Sequence, residues 1–267
     1  MISKVISVCC FRDSATWQVA SHFIVKNIPA AVYEVVVPDH EVEQFRAATA
    51  SAITVVPESH YLKERTLGWL KSRFPSERAF RAGWYLQQFI KVEAVRQGAP
   101  DDLMLIWDAD TVPLKPLSFN TGDGKVVYYR SDEHHLSYFE TIKKMLDMDK
   151  IVDFSFIAQC FAVKAGWAQA FVNEIETRNG MHWVDAVLKH IDYEDGCSFS
   201  EYESMGTWLT HRHLDEMCLN NAQWQRLGNA LIGNIGKLTN ETAAELSKKY
   251  DFISFESWDH GQIALSN

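Results

Sequence analysis

The stretch Leu103–Leu114, "LMLIWDADTVPL", decides the fold class and raises the question of function. Its first five residues form an apolar run that is typical of a strand buried on both faces of a sheet. Two carboxylates, one residue apart, follow this run, and acidic side chains are usually tolerated only where such a strand leaves the sheet. We therefore predict that Asp108 and Asp110 lie at the carboxyl end of a buried strand.

The segments before this strand predict a mainly parallel sheet. Short β-branched runs, "KVISVCCF", "AVYEVVVP" and "ITVVP", alternate with helical patterns such as "SATWQVASHFIV", which is typical of βαβ units. From Ser76 to Gln97 a longer helical pattern, with Ser76 as its N-cap, leads directly into the strand of the aspartates. The sequence thus predicts a Rossmann-like α/β fold whose mixed, mainly parallel sheet is flanked by helices.

Beyond the aspartates the chain becomes more helical. Two further strands are predicted from "GKVVYYRSD" and "DFSFIAQCFAVK", and a last one from "DFISFESW". Helices are predicted from "AGWAQAFVNEIETRNG", which ends at Gly180, and from "HWVDAVLKHI", "EYESMGTWLTHRHLDEMC" and "TNETAAELSKKY". Because no repeat or linker separates these segments, we expect residues 1–267 to form a single domain.

The composition excludes several classes of function. The chain has 267 residues and a formal net charge of −9, which opposes binding to nucleic acid or anionic lipid because both require a positive field. No window approaches the ~18 apolar residues of a transmembrane segment, and the start of the chain lacks the pattern of a signal peptide. We expect a cytoplasmic protein without a nucleic-acid partner or a transmembrane segment.

The run "LIWDADTVPLKPL" resembles the DxD motif of nucleotide-sugar glycosyltransferases of the A-type fold. Three other segments, "GWYLQQFIKV", "SFIAQCFAV" and "FSEYESMG", look like those of a little-described group of bacterial glycosyltransferase-like proteins. The resemblance implies that Asp110 ligates a divalent metal bridging the two phosphates of a nucleotide-sugar donor, while Asp108 reaches the ribose or the metal. It also implies a nucleotide-binding half of about 1–115 and an acceptor-side half of about 116–267.

The charge of the chain favours a metal independently of the resemblance. A diphosphate docks poorly on a protein of net charge −9 unless its own charge is neutralised, and carboxylate oxygens suit Mn²⁺ or Mg²⁺. A bound metal would also stabilise the departing nucleoside diphosphate. The alternative is a solvated acidic pair at the end of a strand, because bare DxD triplets occur often by chance.

The same residues also match the sequence motif of a second enzyme class. Residues 108–112, "DADTV", match the motif of haloacid-dehalogenase-type phosphatases, in which Asp108 would be the phosphoryl nucleophile. Those enzymes usually carry the motif on their first strand, whereas at least three strand candidates precede it here. They also need a later acidic pair after an apolar strand, and "YEDGCS" does not follow one. We therefore rank this interpretation second.

A polar stripe of Gln87, Gln88 and Lys91 lies on the helix that enters the aspartate strand. Because aromatic residues adjoin it, the stripe indicates a partly buried polar surface. We predict that Gln88 and Lys91 bind the donor, with Lys91 as a point charge for phosphate. A solvated helix face is the alternative.

The segment "SFSEYESMG" supplies two candidates for a general base that deprotonates the acceptor hydroxyl, Glu201 and Glu203. Either glutamate could instead belong to a capping box, with Ser198 or Ser200 as the N-cap. Only one such box can operate. If Ser200 is the cap, Glu201 lies in the first turn and remains available, so Glu201 is slightly favoured.

Both ends of the chain offer further site residues. His260, in "SFESWDHGQ", is a candidate third metal ligand by resemblance to transferases whose last ligand is a C-terminal histidine. Phe11, Arg12 and Asp13 follow the first predicted strand, where ligands of nucleotide-binding sheets gather, and they could contact the base or ribose. The absence of a GxGxxG or Walker pattern disfavours dinucleotide cofactors and P-loop hydrolysis.

These observations together predict a metal-dependent glycosyltransferase that moves a sugar from a nucleotide-sugar donor to an acceptor hydroxyl. The acceptor would be a glycan or glycolipid, in surface polysaccharide or glycolipid synthesis, and this part rests on family analogy. A non-catalytic protein that binds a sugar nucleotide or a glycan is the remaining alternative.

Overall fold

The computed structural model of the protein describes residues 1–256, 258 and 259. The strands in this part of the chain are β1 (Ile2–Val8), β2 (Ala30–Val37), β3 (Thr54–Pro57), β4 (Leu103–Trp107), β5 (Thr111–Pro113), β6 (Val126–Tyr129), β7 (Cys160–Lys164), β8 (Met217–Asn220) and β9 (Phe252–Ser254). The helices are α1 (Ser14–Asn27), α2 (Val42–Ala48), α3 (Glu58–Leu62), α4 (Leu67–Lys71), α5 (Ala82–Val95), α6 (Leu136–Leu146), α7 (Ala165–Asn179), α8 (Trp183–His190), α9 (Glu201–Arg212), α10 (Gly228–Ile232) and α11 (Asn240–Leu246).

The central sheet has the strand order β3-β2-β1-β4-β7. Strands β1 to β4 are mutually parallel, and β7 pairs with β4 in the antiparallel direction. Helices flank this sheet, and two short strand pairs, β5 with β9 and β6 with β8, stand beside it. The prediction of a mixed, mainly parallel α/β sheet flanked by helices is confirmed.

Strand β4 lies between β1 and β7, which explains its sequence. Ile106 pairs with Ile6 on one side and with Phe161 on the other. With neighbours on both edges and helices packed on the sheet, all five side chains of β4 are buried. Each such side chain contributes roughly 1.5–3 kcal/mol when it leaves water. The aspartates follow directly after Trp107, so their prediction at the carboxyl end of a buried strand is correct.

The order of the strands creates a topological switch point between β1 and β4. The chain passes from β1 outward to β2 and β3, and it then returns to the opposite side of β1 as β4. Connections from the two neighbouring strands therefore leave in opposite directions, which opens a crevice at their carboxyl ends. Residues that follow β1 and β4 meet at this crevice.

Several helices and strands differ from the sequence-based expectation. The helix before β4 begins at Ala82, not at Ser76, because residues 76–81 form a 3₁₀-helix in which the Ser76 hydroxyl donates to Glu77 Oε2 (2.9 Å) and caps nothing. Helix α9 ends at Arg212, and Cys218 lies in β8, which pairs with β6. Helix α6 was not predicted.

Other local predictions of the second half are correct. Helix α7 ends at Gly180, which adopts a left-handed conformation with φ +65°, as expected of a glycine that follows a helix. Thr239 caps α11 by accepting a hydrogen bond from the Thr242 backbone N–H (3.2 Å). Among the residues that the structure describes, no helix is both long enough and apolar enough to cross a membrane.

Candidate functional site

The backbone of the aspartate pair is fixed by a local turn and by two distant segments of the chain. The Asp108 N–H donates to the carbonyl of Gln159, which precedes β7 (2.9 Å), and the Thr111 N–H closes a turn onto the Asp108 carbonyl (3.0 Å). The Phe255 N–H donates to the Asp110 carbonyl (2.8 Å). Both carboxylates are therefore held at the carboxyl end of β4, next to the switch point.

Asp108 belongs to a buried ion network. Lys91 Nζ donates to Asp108 Oδ1 (2.6 Å) and to Glu201 Oε1 (2.8 Å). The Tyr202 hydroxyl donates to the same Asp108 oxygen (2.6 Å). Helix α5 supplies the lysine, and the first turn of α9 supplies the other two residues, so the network ties both helices to the end of β4.

Lys91 is buried, and its two carboxylate partners stabilise its positive charge. Burial is the largest influence on Lys91 and lowers its pKa, but the charges of Asp108 and Glu201 together raise that pKa above its ordinary value. Burial raises the pKa of Glu201, and Lys91 opposes that shift. One ammonium therefore pairs with two carboxylates. The positive N-terminal end of the α9 helix dipole also stabilises the Glu201 carboxylate.

The charge of Lys91 compensates only part of the burial of Asp110. Burial, followed by the charges of Asp108 and Glu256, raises the pKa of Asp110 to about 7. Its side chain accepts a long hydrogen bond from the Thr111 hydroxyl (3.3 Å), and no lysine, arginine or histidine among residues 1–256, 258 and 259 lies within ion-pair distance of it. A largely buried carboxylate in this state is a strong candidate for binding a cation.

Glu256, Arg226 and Gln159 complete the site and were not predicted from the sequence. Glu256 Oε1 accepts hydrogen bonds from Arg226 Nε (2.5 Å) and Gln159 Nε2 (3.2 Å). Gln159 is buried and has φ +63°, a left-handed conformation that is uncommon for residues other than glycine and marks local strain. It contacts Asp108 through its backbone and Glu256 through its side chain.

The structure brings the predicted Gln88, Lys91 and Glu201 together with Asp108. Gln88 is buried, and its Oε1 accepts a hydrogen bond from the Glu201 N–H (3.1 Å). The polar stripe of α5 is thus an internal surface at Gln88 and Lys91, not a solvated helix face. Tyr202, which lies between the two glutamates in sequence, was missed because a tyrosine there reads as an ordinary core residue.

Glu203 lies in a separate network. It forms an ion pair with Lys150, and its Oε2 accepts hydrogen bonds from the Ser155 hydroxyl (2.8 Å) and the Phe156 N–H (3.1 Å). Ser200 caps α9 by accepting from the Glu203 N–H (3.2 Å). Both carboxylate oxygens of Glu203 are therefore occupied, whereas Glu201, in the first turn, contacts the aspartate network.

The residues predicted at the end of β1 form a 3₁₀-helix, Phe11–Asp13. Phe11 is 43% exposed, its N–H donates to Glu41 Oε2 (2.7 Å), and Arg12 pairs with Asp13 at 3.4 Å. Burial raises the pKa of Cys9, and the charges of Asp13 and Asp110 add to that rise. The end of β1 therefore lies beside Asp110, across the switch point, while His260 falls outside the described residues.

The donor atoms at the aspartate pair fit a hard divalent cation that also binds a substrate. Asp108 Oδ2 makes no hydrogen bond with any described residue, and Asp110 needs a positive partner. No cluster of three or more His, Cys, Asp or Glu ligands occurs within residues 1–256, 258 and 259. One or two carboxylates, completed by substrate phosphates and water, are the usual protein contribution to Mg²⁺ binding.

The fold and these contacts define the chain as an α/β protein with a carboxylate site at its topological switch point. The chain belongs to a family of unknown function, DUF6492, whose sequence profile matches residues 16–262. A search of curated proteins finds no match to its sequence.

The backbone is similar to those of several solved glycosyltransferases. A galactosyltransferase, LgtC, in complex with donor and acceptor sugar analogues gives a TM-score of 0.48 at 11% identity, over 94% of this chain and 86% of that one. Mouse xyloside xylosyltransferase 1 gives 0.47 at 9% identity, over 96% and 98%. The bifunctional glycosyltransferase WbbM gives 0.48 at 12% identity, over 97% of this chain and 46% of its own. Identities this low assign no role to any residue here.

Proposed function

We propose that the chain is a metal-dependent glycosyltransferase that moves a sugar from a nucleotide-sugar donor to an acceptor hydroxyl. One observation carries the proposal: Asp110 is a largely buried carboxylate without a cationic partner among the described residues, and it stands at the switch point beside Asp108. A metal ion there would compensate the charge of the carboxylates. A phosphate-bearing ligand bound with that metal would occupy the crevice.

Asp110 and the unbonded Oδ2 of Asp108 would hold Mn²⁺ or Mg²⁺, and His260 remains a predicted third ligand. When bound, the metal neutralises the diphosphate and stabilises the leaving group. Lys91 and Tyr202 hold the Asp108 carboxylate in one orientation through hydrogen bonds to its Oδ1. At the end of β1, Phe11, Arg12 and Asp13 would contact the base or ribose of the donor.

Glu201 is the better placed of the two candidate bases. Its carboxylate contacts Lys91 within the aspartate network, and burial raises its pKa above the ordinary value, which increases its basicity. In an inverting transfer, the acceptor oxygen bonds to the anomeric carbon, the bond to the diphosphate breaks, and Glu201 takes the hydroxyl proton. Glu203 is bonded to Lys150 and Ser155 instead.

No contact in the described part of the chain favours a phosphatase. Lys91 and Tyr202 hold Asp108 Oδ1, and its unbonded Oδ2 is the oxygen assigned to the metal in the present proposal. The motif also follows the fourth strand, whose partner β7 is antiparallel. A role in surface polysaccharide or glycolipid synthesis remains part of the proposal.

Calorimetric titration with a panel of sugar nucleotides, with and without MnCl₂, tests the proposal. We expect binding that requires Mn²⁺ and that is lost in Asp110→Ala. Asp215→Ala is the control, because it also removes one carboxylate, but that carboxylate is exposed and lies in the 3₁₀-helix after α9. Nucleotide binding that is equally tight without metal, or in Asp110→Ala, would contradict the proposed metal site.

Two further outcomes separate the alternatives. Release of free sugar from the bound donor, followed by chromatography, indicates turnover, whereas tight binding without release or transfer indicates a binding protein. If beryllium fluoride binds to wild-type protein but not to Asp108→Ala, and no sugar nucleotide binds, the phosphatase interpretation replaces the one proposed here.

A further inference from the structure

A cleft of about 570 Å³ opens at the carboxyl ends of β6 and β8. These two strands are parallel, so the loops that follow them leave at the same edge, and the segment before β7 forms a third wall. The volume lies within the range of about 300–1,000 Å³ that small-molecule sites occupy. The lining side chains that matter below are Arg130, Asp132, Asp153, Phe154, Trp224 and Arg226.

The walls of the cleft are held in place by contacts within the protein. Ser131 and Ser155 exchange backbone hydrogen bonds, each of 2.9 Å, which join two of the walls. The Trp224 indole N–H donates to the Arg130 carbonyl (3.0 Å), and its ring stacks on Phe252 with centroids 5.4 Å apart. One face of the indole is therefore anchored to the core, while the half-buried ring lines the cleft.

The charges in the cleft are unequally compensated. Arg226 pairs with Glu256 and Glu133. Asp132 and Asp153 are exposed, and neither makes a hydrogen bond or ion pair with any residue that the structure describes; the Arg130 guanidinium is likewise unpaired in that part of the chain. Two free carboxylates thus face one free guanidinium in a chain of net charge −9.

The cleft adjoins the aspartate site through a chain of hydrogen bonds. Arg226, in its wall, donates to Glu256, and Glu256 accepts from Gln159. Gln159 in turn accepts from the Asp108 backbone N–H. Two residues, Glu256 and Gln159, therefore connect the wall of the cleft with Asp108.

We propose that this cleft binds an uncharged glycan. Trp224 and Phe154 offer aromatic surface to the apolar C–H face of a pyranose ring. Asp132 and Asp153 accept hydrogen bonds from sugar hydroxyls, and Arg130 donates to a hydroxyl or ring oxygen. The excess of carboxylate disfavours sialylated, uronic or phosphorylated sugars. That the glycan is the acceptor of sugar transfer rests on the proposed function; that it binds here does not.

Saturation-transfer NMR tests the proposal without donor nucleotide or metal. The neutral probes are lactose, maltose and N,N′-diacetylchitobiose, and sialyllactose is the anionic counterpart of lactose. We expect at least one neutral probe to receive saturation on its ring protons at about 10 mM, a concentration that detects millimolar affinity. If lactose is that probe, sialyllactose should bind at least ~10-fold more weakly than lactose. The reason is that the carboxylate of sialyllactose is repelled by the two carboxylates of the cleft.

Variants of the cleft sharpen the test. Trp224→Ala should abolish the signal, while Trp224→Phe, which can keep the stack on Phe252, should retain part of it. Asp132→Asn and Asp153→Asn, at exposed positions that leave folding intact, should each weaken the neutral probe about 10-fold. Phe80→Ala is the control, because Phe80 is 71% exposed but lies in the 3₁₀-helix before α5.

The proposal is overturned if no neutral probe binds, if sialyllactose binds more tightly than lactose, or if binding survives both aspartate substitutions. These results are independent of the sugar-nucleotide titration. Metal-dependent nucleotide binding without glycan binding removes the cleft assignment alone, and glycan binding without nucleotide binding removes the proposed transfer activity alone.

Discussion

The Lys91 ammonium is buried between the carboxylates of Asp108 and Glu201, whose side chains are 19% and 4% exposed, so its loss should be costly. In Lys91→Met, Asp108 and Glu201 remain close together without a cation. We expect the free energy of unfolding to fall by about 3–5 kcal/mol, the usual cost of removing one partner of a buried ion pair. Urea denaturation followed by circular dichroism measures it.

A second substitution isolates the charge effect of Lys91 from its packing. Adding Glu201→Gln to Lys91→Met removes one of the two carboxylates left without a cation, so part of the lost free energy of unfolding should be recovered. A double variant less stable than Lys91→Met, or a single variant within about 1 kcal/mol of wild type, would disagree with a buried ion network.

The two glutamates of α9 should respond differently to the same change. Glu203→Gln leaves Lys150 without its carboxylate and should lower the free energy of unfolding by about 3 kcal/mol, with little change in nucleotide affinity. Glu201→Gln should reduce the rate of sugar transfer by roughly 10²–10⁴-fold if it is the base. Urea denaturation and a transfer or donor-hydrolysis assay separate the two effects, and the opposite pattern would reverse the assignment.

At the scale of elements, the close packing of α9 requires a glycine at position 206, which lies against the Phe156 ring. A Cβ added to Gly206 would lie 2.1 Å from Cδ2 of the Phe156 ring, so the helix or the ring would have to move. We expect Gly206→Ala to destabilise the fold by about 1–3 kcal/mol or more and to weaken the contacts that α9 makes to the aspartate site.

Gly83 in α5 is the matched control for Gly206. A Cβ there meets its nearest atom, Leu67 Cδ1, at 4.0 Å, which is ordinary contact. Gly83→Ala should therefore stabilise the protein by about 0.5–1 kcal/mol, because alanine favours the helix. Thermal unfolding of both variants measures the difference, and equal effects of the two substitutions would count against the close packing of α9.

Glu58, which directly follows β3, should make the stability of the protein depend on pH. Burial, and then the charges of Asp39 and Glu41, raise the pKa of Glu58 to about 7 from an ordinary 4.5. The folded protein holds this proton more tightly than the unfolded chain. Its contribution to stability is therefore complete below about pH 4.5 and is lost as the pH rises through 7.

Glu58→Gln should flatten the part of the pH dependence that Glu58 causes. Between pH 4.5 and 8 the wild type should lose up to roughly 3 kcal/mol more stability than the variant. Urea denaturation of both proteins at several pH values gives the difference directly. Parallel curves for the two proteins would show that Glu58 titrates normally in the folded state.

Elements were easier to predict than the contacts between them. The apolar run of β4 predicts a strand with neighbours on both edges, and the β-branched runs of β1 to β3 predict the parallel sheet. Both predictions are possible because burial constrains the residue types within each element. The start of α5 was misplaced since a 3₁₀-helix and an α-helix share helical patterning over one or two turns.

At the scale of the whole molecule, the site depends on pairs that no local pattern reveals. Lys91 meets Glu201, which is 110 residues away, and Gln159 meets Glu256 at a separation of 97. Residue type suggested Lys91 and Glu201 as polar members of a site. Gln159 and Glu256 gave no signal of their own, because their roles follow from the pairing of β7 with β4 and of β9 with β5.

Donor binding should stabilise the entire domain through mass action. A metal and nucleotide that bind only the folded state at 100 times their dissociation constant contribute about 2.7 kcal/mol. For a chain of this size we expect the melting temperature to rise by roughly 5–10 °C, only when Mn²⁺ and the nucleotide are both present. Differential scanning fluorimetry of wild type, Asp110→Ala and Asp215→Ala measures it, and an equal rise in all three would point to binding elsewhere.

The pairing of β5 with β9 has a consequence for how the protein is made. Thr111 pairs with Ser254, and the carbonyl of Asp110 accepts its hydrogen bond from Phe255. During translation the aspartates leave the ribosome long before these partners. A nascent chain can form the early parallel strands, but the Asp110 carbonyl lacks its hydrogen-bond partner until the chain has reached Phe255. The aspartate pair should therefore reach its final backbone geometry only after β9 has been synthesised and has paired with β5.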